Sequence, residues 1–111
     1  MDVTTKKLRR CDLVVAKGRI DAATVDVLAG ALNEIKNAGR YKIVLNMKDV
    51  AYISSAGLSE LIETHNVCKQ MRRGELVLAE VPPRIKEVFD LAGLTTLFKL
   101  FDTELEAVDH F

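Results

Sequence analysis

The stretch from Val44 to Ile62, VLNMKDVAYISSAGLSELI, sets two kinds of periodicity back to back around a pair of serines. It opens as a buried strand at Ile43, Val44 and Leu45, crosses a polar connection at Asn46–Asp49, and resumes through Val50–Ile53 to Ser54 and Ser55. Beyond Ala56 and Gly57, the residues Leu58, Leu61 and Ile62 recur at helical spacing. A serine just before such a run signals a helix N-cap, because its oxygen accepts one of the free N–H groups of the first turn. A hydroxyl at that place has a second use. A phosphate on it would sit where free N–H groups and the helix dipole favour negative charge. Cap and phosphorylation switch are both open on these residues alone.

The 111 residues suit one compact domain, and 49% apolar with 29% charged residues is a globular composition. The longest apolar runs, such as Leu13–Ala16 and Ile43–Leu45, fall far short of the roughly 20 residues a membrane-spanning helix needs. Met1–Arg10 is polar, unlike a secretory signal. Sixteen basic residues balance sixteen acidic ones, which argues against direct nucleic-acid binding through phosphate neutralisation. Two cysteines, Cys11 and Cys68, make no disulfide framework, and free thiols fit a reducing cytoplasm.

Val3–Leu8 reads as an edge strand whose Lys6 and Lys7, with Arg9 and Arg10 beyond, guard it against sheet-to-sheet association. Leu13–Ala16 is a buried strand that Gly18 is expected to end, with Gly18–Asp21 turning into a helix capped by Asp21. Val25, Leu28, Leu32 and Ile35 form that helix's apolar stripe, and Asn37-Ala38-Gly39 stops it. Tyr41–Leu45 is the next strand. A second helix is expected from Ser55 to Arg73, with Gly74 as its C-cap. Leu76–Ala79 is a further strand, Pro83 begins a third helix ended by Gly93, Leu97–Phe101 is a last strand, and Thr103–Asp109 a terminal helix capped by Asp102 or Thr103. Strands alternating with helices predict an α/β fold: a mixed central sheet with about four packed helices, the first two strands antiparallel and the rest joined by right-handed crossovers. In such sheets functional sites gather at the carboxyl ends of strands, where Ser54 and Ser55 fall.

Catalytic patterns are weak. Ile53-Ser54-Ser55-Ala56-Gly57 has only the second glycine of a nucleophile elbow, and neither His65 nor His110 lies in the context of a catalytic base. His65 aligns with Leu58, Leu61 and Ile62, as a packed core residue would, and Cys68 reads as a small buried hydrophobe. There is no phosphate-binding glycine motif and no metal-ligand spacing, so no cofactor is expected. What remains is a binding module.

Three blocks resemble the STAS domain, in particular the small stand-alone anti-sigma factor antagonists. They are Gly18-Arg19-Ile20-Asp21 with Ala23, Thr24 and Leu28; Val44–Met47 through Ser55-Ala56-Gly57-Leu58; and Pro83 to Leu94. In the first, Arg19 takes the place of an acidic residue. The resemblance implies a non-enzymatic regulator. Unphosphorylated, it binds an anti-sigma factor that is also a serine kinase of the histidine-kinase-like ATPase fold, and so frees a sigma factor. Kinase phosphorylation at the start of the second helix ends binding, and a serine phosphatase restores it. The acceptor maps onto Ser55, with Ser54 as rival because it replaces the usual aspartate, and with Ala56 in place of the following serine or threonine. The implied contact surface holds Asp21, Tyr52, Ser54, Gly57, Ser59, Glu60 and Glu63. The alternative within the family is an unphosphorylated structural subunit of a transport or signalling assembly.

Overall fold

A computed structural model describes residues 1–71 and 73–111. The elements follow the order β1 (Asp2–Lys7), β2 (Asp12–Ile20), α1 (Val25–Asn37), β3 (Lys42–Ile53), α2 (Ser55–Gln70), β4 (Glu75–Ala79), α3 (Pro83–Leu91), β5 (Leu100–Phe101) and α4 (Glu104–Asp109). The five strands form one sheet in sequence order; β1 pairs antiparallel with β2, and β2 through β5 run parallel. The expected mixed α/β architecture is therefore present.

Right-handed crossovers between neighbouring parallel strands put successive helices on one face. Leu28, Leu32 and Ile35 of α1, Leu61 and Cys68 of α2, and Ile85 and Phe89 of α3 pack there on Ile43, Leu45, Met47, Leu76 and Leu78. The other face is smaller. Ala107 and Val108 of α4 cover Leu13, Val44, Val77 and Ala79. Coverage from both sides makes β4 and the first half of β3 continuously buried, as their apolar runs suggest.

The strand carrying the site is longer than its sequence indicates. Asn46–Asp49 is no connection: β3 is unbroken for 12 residues. The Asn46 amide is buried, donating to Glu104 Oε1 at 2.8 Å and Glu80 Oε2 at 3.2 Å, while its own oxygen accepts from the Lys48 N–H. The polar signal at Lys48 and Asp49 comes instead from irregular pairing with β2, whose register shifts between Val15 and Lys17 and again between Gly18 and Arg19. Such bulges put consecutive residues on the exposed side and re-aim those that follow. Gly18 does not end β2. It lies inside the strand at φ +103°, a backbone state open to glycine, and β2 continues to Ile20.

Helix ends differ in detail as well. The N-cap of α1 is Thr24, not Asp21, and α2 ends at Gln70 with Met71 as C-cap. The expected end at Arg73 runs across residue 72, which is outside the described residues. Gly74 serves a close approach rather than a cap: a Cβ there would lie 2.1 Å from the Tyr41 carbonyl oxygen, which accepts the Glu75 N–H. The last strand shrinks to Leu100–Phe101, and Thr103 caps α4 by accepting from the Glu106 N–H at 3.1 Å.

Candidate functional site

β2 and β3 end side by side, Arg19 opposite Tyr52 and Ile20 opposite Ile53. The Ser54 N–H then donates to Ile20 O at 2.8 Å, fixing the exit of β3 against the end of β2. Ser54 is the N-cap of α2: its backbone is extended and its Oγ accepts from the Gly57 N–H at 3.4 Å. Ser55 is the first helical residue and is exposed, whereas Ser54 is half-buried. The two serines differ in what the structure does with them. The one that caps is 54, and the one presented to solvent is 55.

Gly57 is buried beneath this turn. A Cβ would come within 2.7 Å of Ile20 Cγ2 and of Ile53 Cγ1, so glycine lets the first turn of α2 lie directly on the two strand ends. That placement makes Gly57 a packing residue behind the surface rather than part of it. Asp21 closes the turn before α1. Its Oδ1 accepts from the N–H groups of Ala23 (3.0 Å) and Thr24 (3.2 Å) and from the Thr24 hydroxyl (3.2 Å). Partial burial pushes its carboxyl pKa up, but the Ala23 and Thr24 bonds and the Arg19 charge outweigh that, and the net shift is downward.

Tyr52 is 41% exposed, so its ring is more than strand-end packing. The Arg19 guanidinium lies over it, 4.3 Å from the centroid, with Arg19 Nε 3.6 Å from Asp21 Oδ2. Along α2, Ser59 and Glu63 are exposed and line a shallow groove with Ile62, Asn66, Val67 and Gln70. Glu60, placed on the contact surface by the resemblance, is half-buried. Its carboxylate accepts from the Thr64 hydroxyl at 2.9 Å, and Thr64 in turn accepts from Lys36 Nζ of α1 at 3.3 Å. This polar chain ties α1 to α2, and only the Glu60–Thr64 spacing of four residues is visible in the sequence. Arg19 on Tyr52 is a further feature invisible to sequence reading, because it follows from the register of two bulged strands.

His65 and Cys68 lie away from this corner, in the core. His65 is buried; burial lowers its pKa, its Nδ1 lies 3.2 Å from Leu76 O, and its ring meets Phe98 edge-on at 5.1 Å. Burial pushes the Cys68 thiol up to about 11. Both are core residues, as expected.

The comparisons agree with this geometry. The STAS domain model matches residues 2–107. BtrV of Bordetella bronchiseptica, named as a candidate anti-sigma factor antagonist, is 31% identical over 113 residues, covering 100% of this chain and 95% of that protein. The anti-sigma-B factor antagonist of Staphylococcus aureus is 31% identical over 90 residues, 80% of this chain and 82% of its own. Among solved structures, the anti-sigma factor antagonist SpoIIAA in its unphosphorylated form has a TM-score of 0.80 at 18% identity, covering 98% of this chain and 95% of that one. The Bacillus SpoIIAA in its phosphorylated form has a TM-score of 0.77 at 19% identity, covering 98% of each chain. At that identity the structures speak to the fold, and the sequence matches carry the relationship: the chain belongs to the STAS domain family.

Proposed function

We propose that this chain is an anti-sigma factor antagonist that works by partner switching, with Ser55 as the phosphorylated residue. Unmodified, it docks on an anti-sigma factor that is also a serine kinase of the histidine-kinase-like ATPase fold; phosphorylated, it lets go, and a serine phosphatase resets it. The observation that carries the reading is the exposed Ser55 hydroxyl at the first position of α2, directly beyond the carboxyl end of β3, with the capping role already filled by Ser54. The names of the relatives support the antagonist role. The docking surface is formed by Ser55, the Asp21 turn, Tyr52 and the Ser59–Glu63 side of α2, with Gly57 holding that corner in place from below.

The chemistry of release follows from where the charge goes. Phosphate adds roughly −1.5 to −2 charges at neutral pH. At a helix N-terminus that charge is tolerated within the domain itself. Its cost therefore falls on the interface, where a dianion pressed against a partner is stripped of water and repelled by neighbouring carboxylates. The fold persists while docking weakens.

A pull-down from lysate of the source cell tests this, with wild type, Ser55→Ala and Ser55→Glu as baits and mass spectrometry of the retained proteins. An ATPase-fold kinase held by the first two and lost with Ser55→Glu supports the switch. Equal retention of a transporter or scaffold component by all three replaces it with a structural-subunit role.

A further inference from the structure

Arg19 lies one residue before the strand end to which the serine turn is tied. Its neighbour on β2, Ile20, accepts the Ser54 N–H, so the chain opening α2 is tied to the strand end that bears Arg19. The guanidinium is held only loosely. Its side chain is 63% exposed, its 3.6 Å approach to Asp21 Oδ2 is longer than a well-formed N–H···O bond, and its other contact is the face of Tyr52. Asp21 depends little on it, since the same carboxylate already takes three hydrogen bonds from Ala23 and Thr24. Of the other cations on α1 and β2, Lys36 donates to Thr64, and Lys17 lies 4.0 Å from Asp49, further down β2 from the strand end.

A phosphate dianion offers a guanidinium stronger, charge-assisted and bidentate bonds than either present partner. We propose that Arg19 is the internal counter-ion of phosphorylated Ser55, leaving Asp21 and the Tyr52 ring to bind the phosphate. The inference rests on Ser55 as acceptor and adds the regulation of that site. Its consequence is that one modification alters three side chains of the docking face. The phosphate arrives, Arg19 turns toward it, and Tyr52 and Asp21 are uncovered, while the backbone stays in place. A partner that reads the Arg19–Tyr52 pair thus loses a contact as well as meeting a new charge.

The test places phosphoserine at position 55 by genetic encoding, so that no kinase is needed, in otherwise wild-type, Arg19→Gln and Arg19→Lys chains. Phosphorus NMR follows the second ionisation of the phosphate, and nitrogen-15 NMR follows the Arg19 Nε–H. A nearby cation favours the dianion, so the wild-type midpoint is expected about half a pH unit or more below that of Arg19→Gln. Arg19→Lys should recover part of the shift, and the Arg19 Nε–H resonance should move on modification. Coincident midpoints with an unmoved Arg19 resonance would overturn the proposal and leave Ser55 free to act as acceptor without Arg19. Absence of phosphate on Ser55 in cells is a separate failure, of the acceptor assignment alone.

Discussion

Replacing Gly57 with alanine probes the contact that seats the serine turn on the sheet. The new Cβ would lie 2.7 Å from Ile20 Cγ2, 2.7 Å from Ile53 Cγ1 and 3.3 Å from Ile53 Cδ1. Carbon atoms rest at about 3.5–4.0 Å, so both isoleucines must yield by roughly 1 Å. Neither yields easily: both are buried, and the atoms concerned branch directly from Cβ rather than lying at a flexible tip. Overpacking of this sort costs about 1–3 kcal/mol. Alanine returns up to about 1 kcal/mol of helix propensity, less in a first turn. The net expectation is a loss of about 1–2 kcal/mol, which for a chain of this size lowers Tm by roughly 4–8 °C. Calorimetry of wild type and Gly57→Ala measures it directly. The same substitution in an Ile53→Ala background removes the Ile53 part of the clash, leaves the Ile20 part, and should cost less. An unchanged or raised Tm would refute close packing as the reason for glycine here.

Three other perturbations read different parts of the fold. Asn46→Asp places a carboxyl between Glu80 and Glu104, which now share the Asn46 amide, and should cost about 2 kcal/mol or more in urea unfolding at pH 7. The deficit should shrink toward pH 5, because burial and two neighbouring carboxylates raise the pKa of the new carboxyl. Glu75 is buried, which pushes its pKa up, but the His110 hydrogen bond and the Lys69 and Lys99 charges bring it below the ordinary glutamate value. Its stabilisation is therefore complete above about pH 4.3 and lost as pH falls through the lower folded value, so Glu75→Gln should flatten the acid limb of a stability–pH curve. Cys11 and Cys68 are buried with raised thiol pKa values, Cys68 to about 11, so both should react with a thiol reagent at pH 8 only as fast as the protein opens. Labelling of the native protein at the rate seen in denaturant would contradict their placement.

The order of elements and the side each helix buries were legible because periodicity is a local property: Leu28, Leu32 and Ile35 advertise one helix face wherever it packs. Register is not local. Nothing near Lys48 and Asp49 tells that β3 passes straight through them, because the evidence lies in bulged pairing with β2 and in the Glu80 and Glu104 carboxylates far along the chain. The same limit separated the two serines. Either could cap from the sequence, and only the extended backbone of Ser54 and its bond from the Gly57 N–H identify Ser54 as the cap. Asp21 was visible as a turn residue, but its helix begins four residues later, since its bonds to Ala23 and Thr24 build a separate turn. Gly74 had the look of a helix stop, while its true constraint is the Tyr41 carbonyl just before β3.

In the proposed switch, a phosphate at Ser55 controls docking without disturbing the fold. Titration calorimetry of the captured anti-sigma factor against the unmodified chain and the chain carrying encoded phosphoserine 55, with circular dichroism of both, measures this directly. Superimposable spectra are expected, with an affinity weakened at least about 100-fold, equivalent to some 2.7 kcal/mol. Equal affinities, or a lost α2 signal in the phosphorylated chain, would contradict the switch.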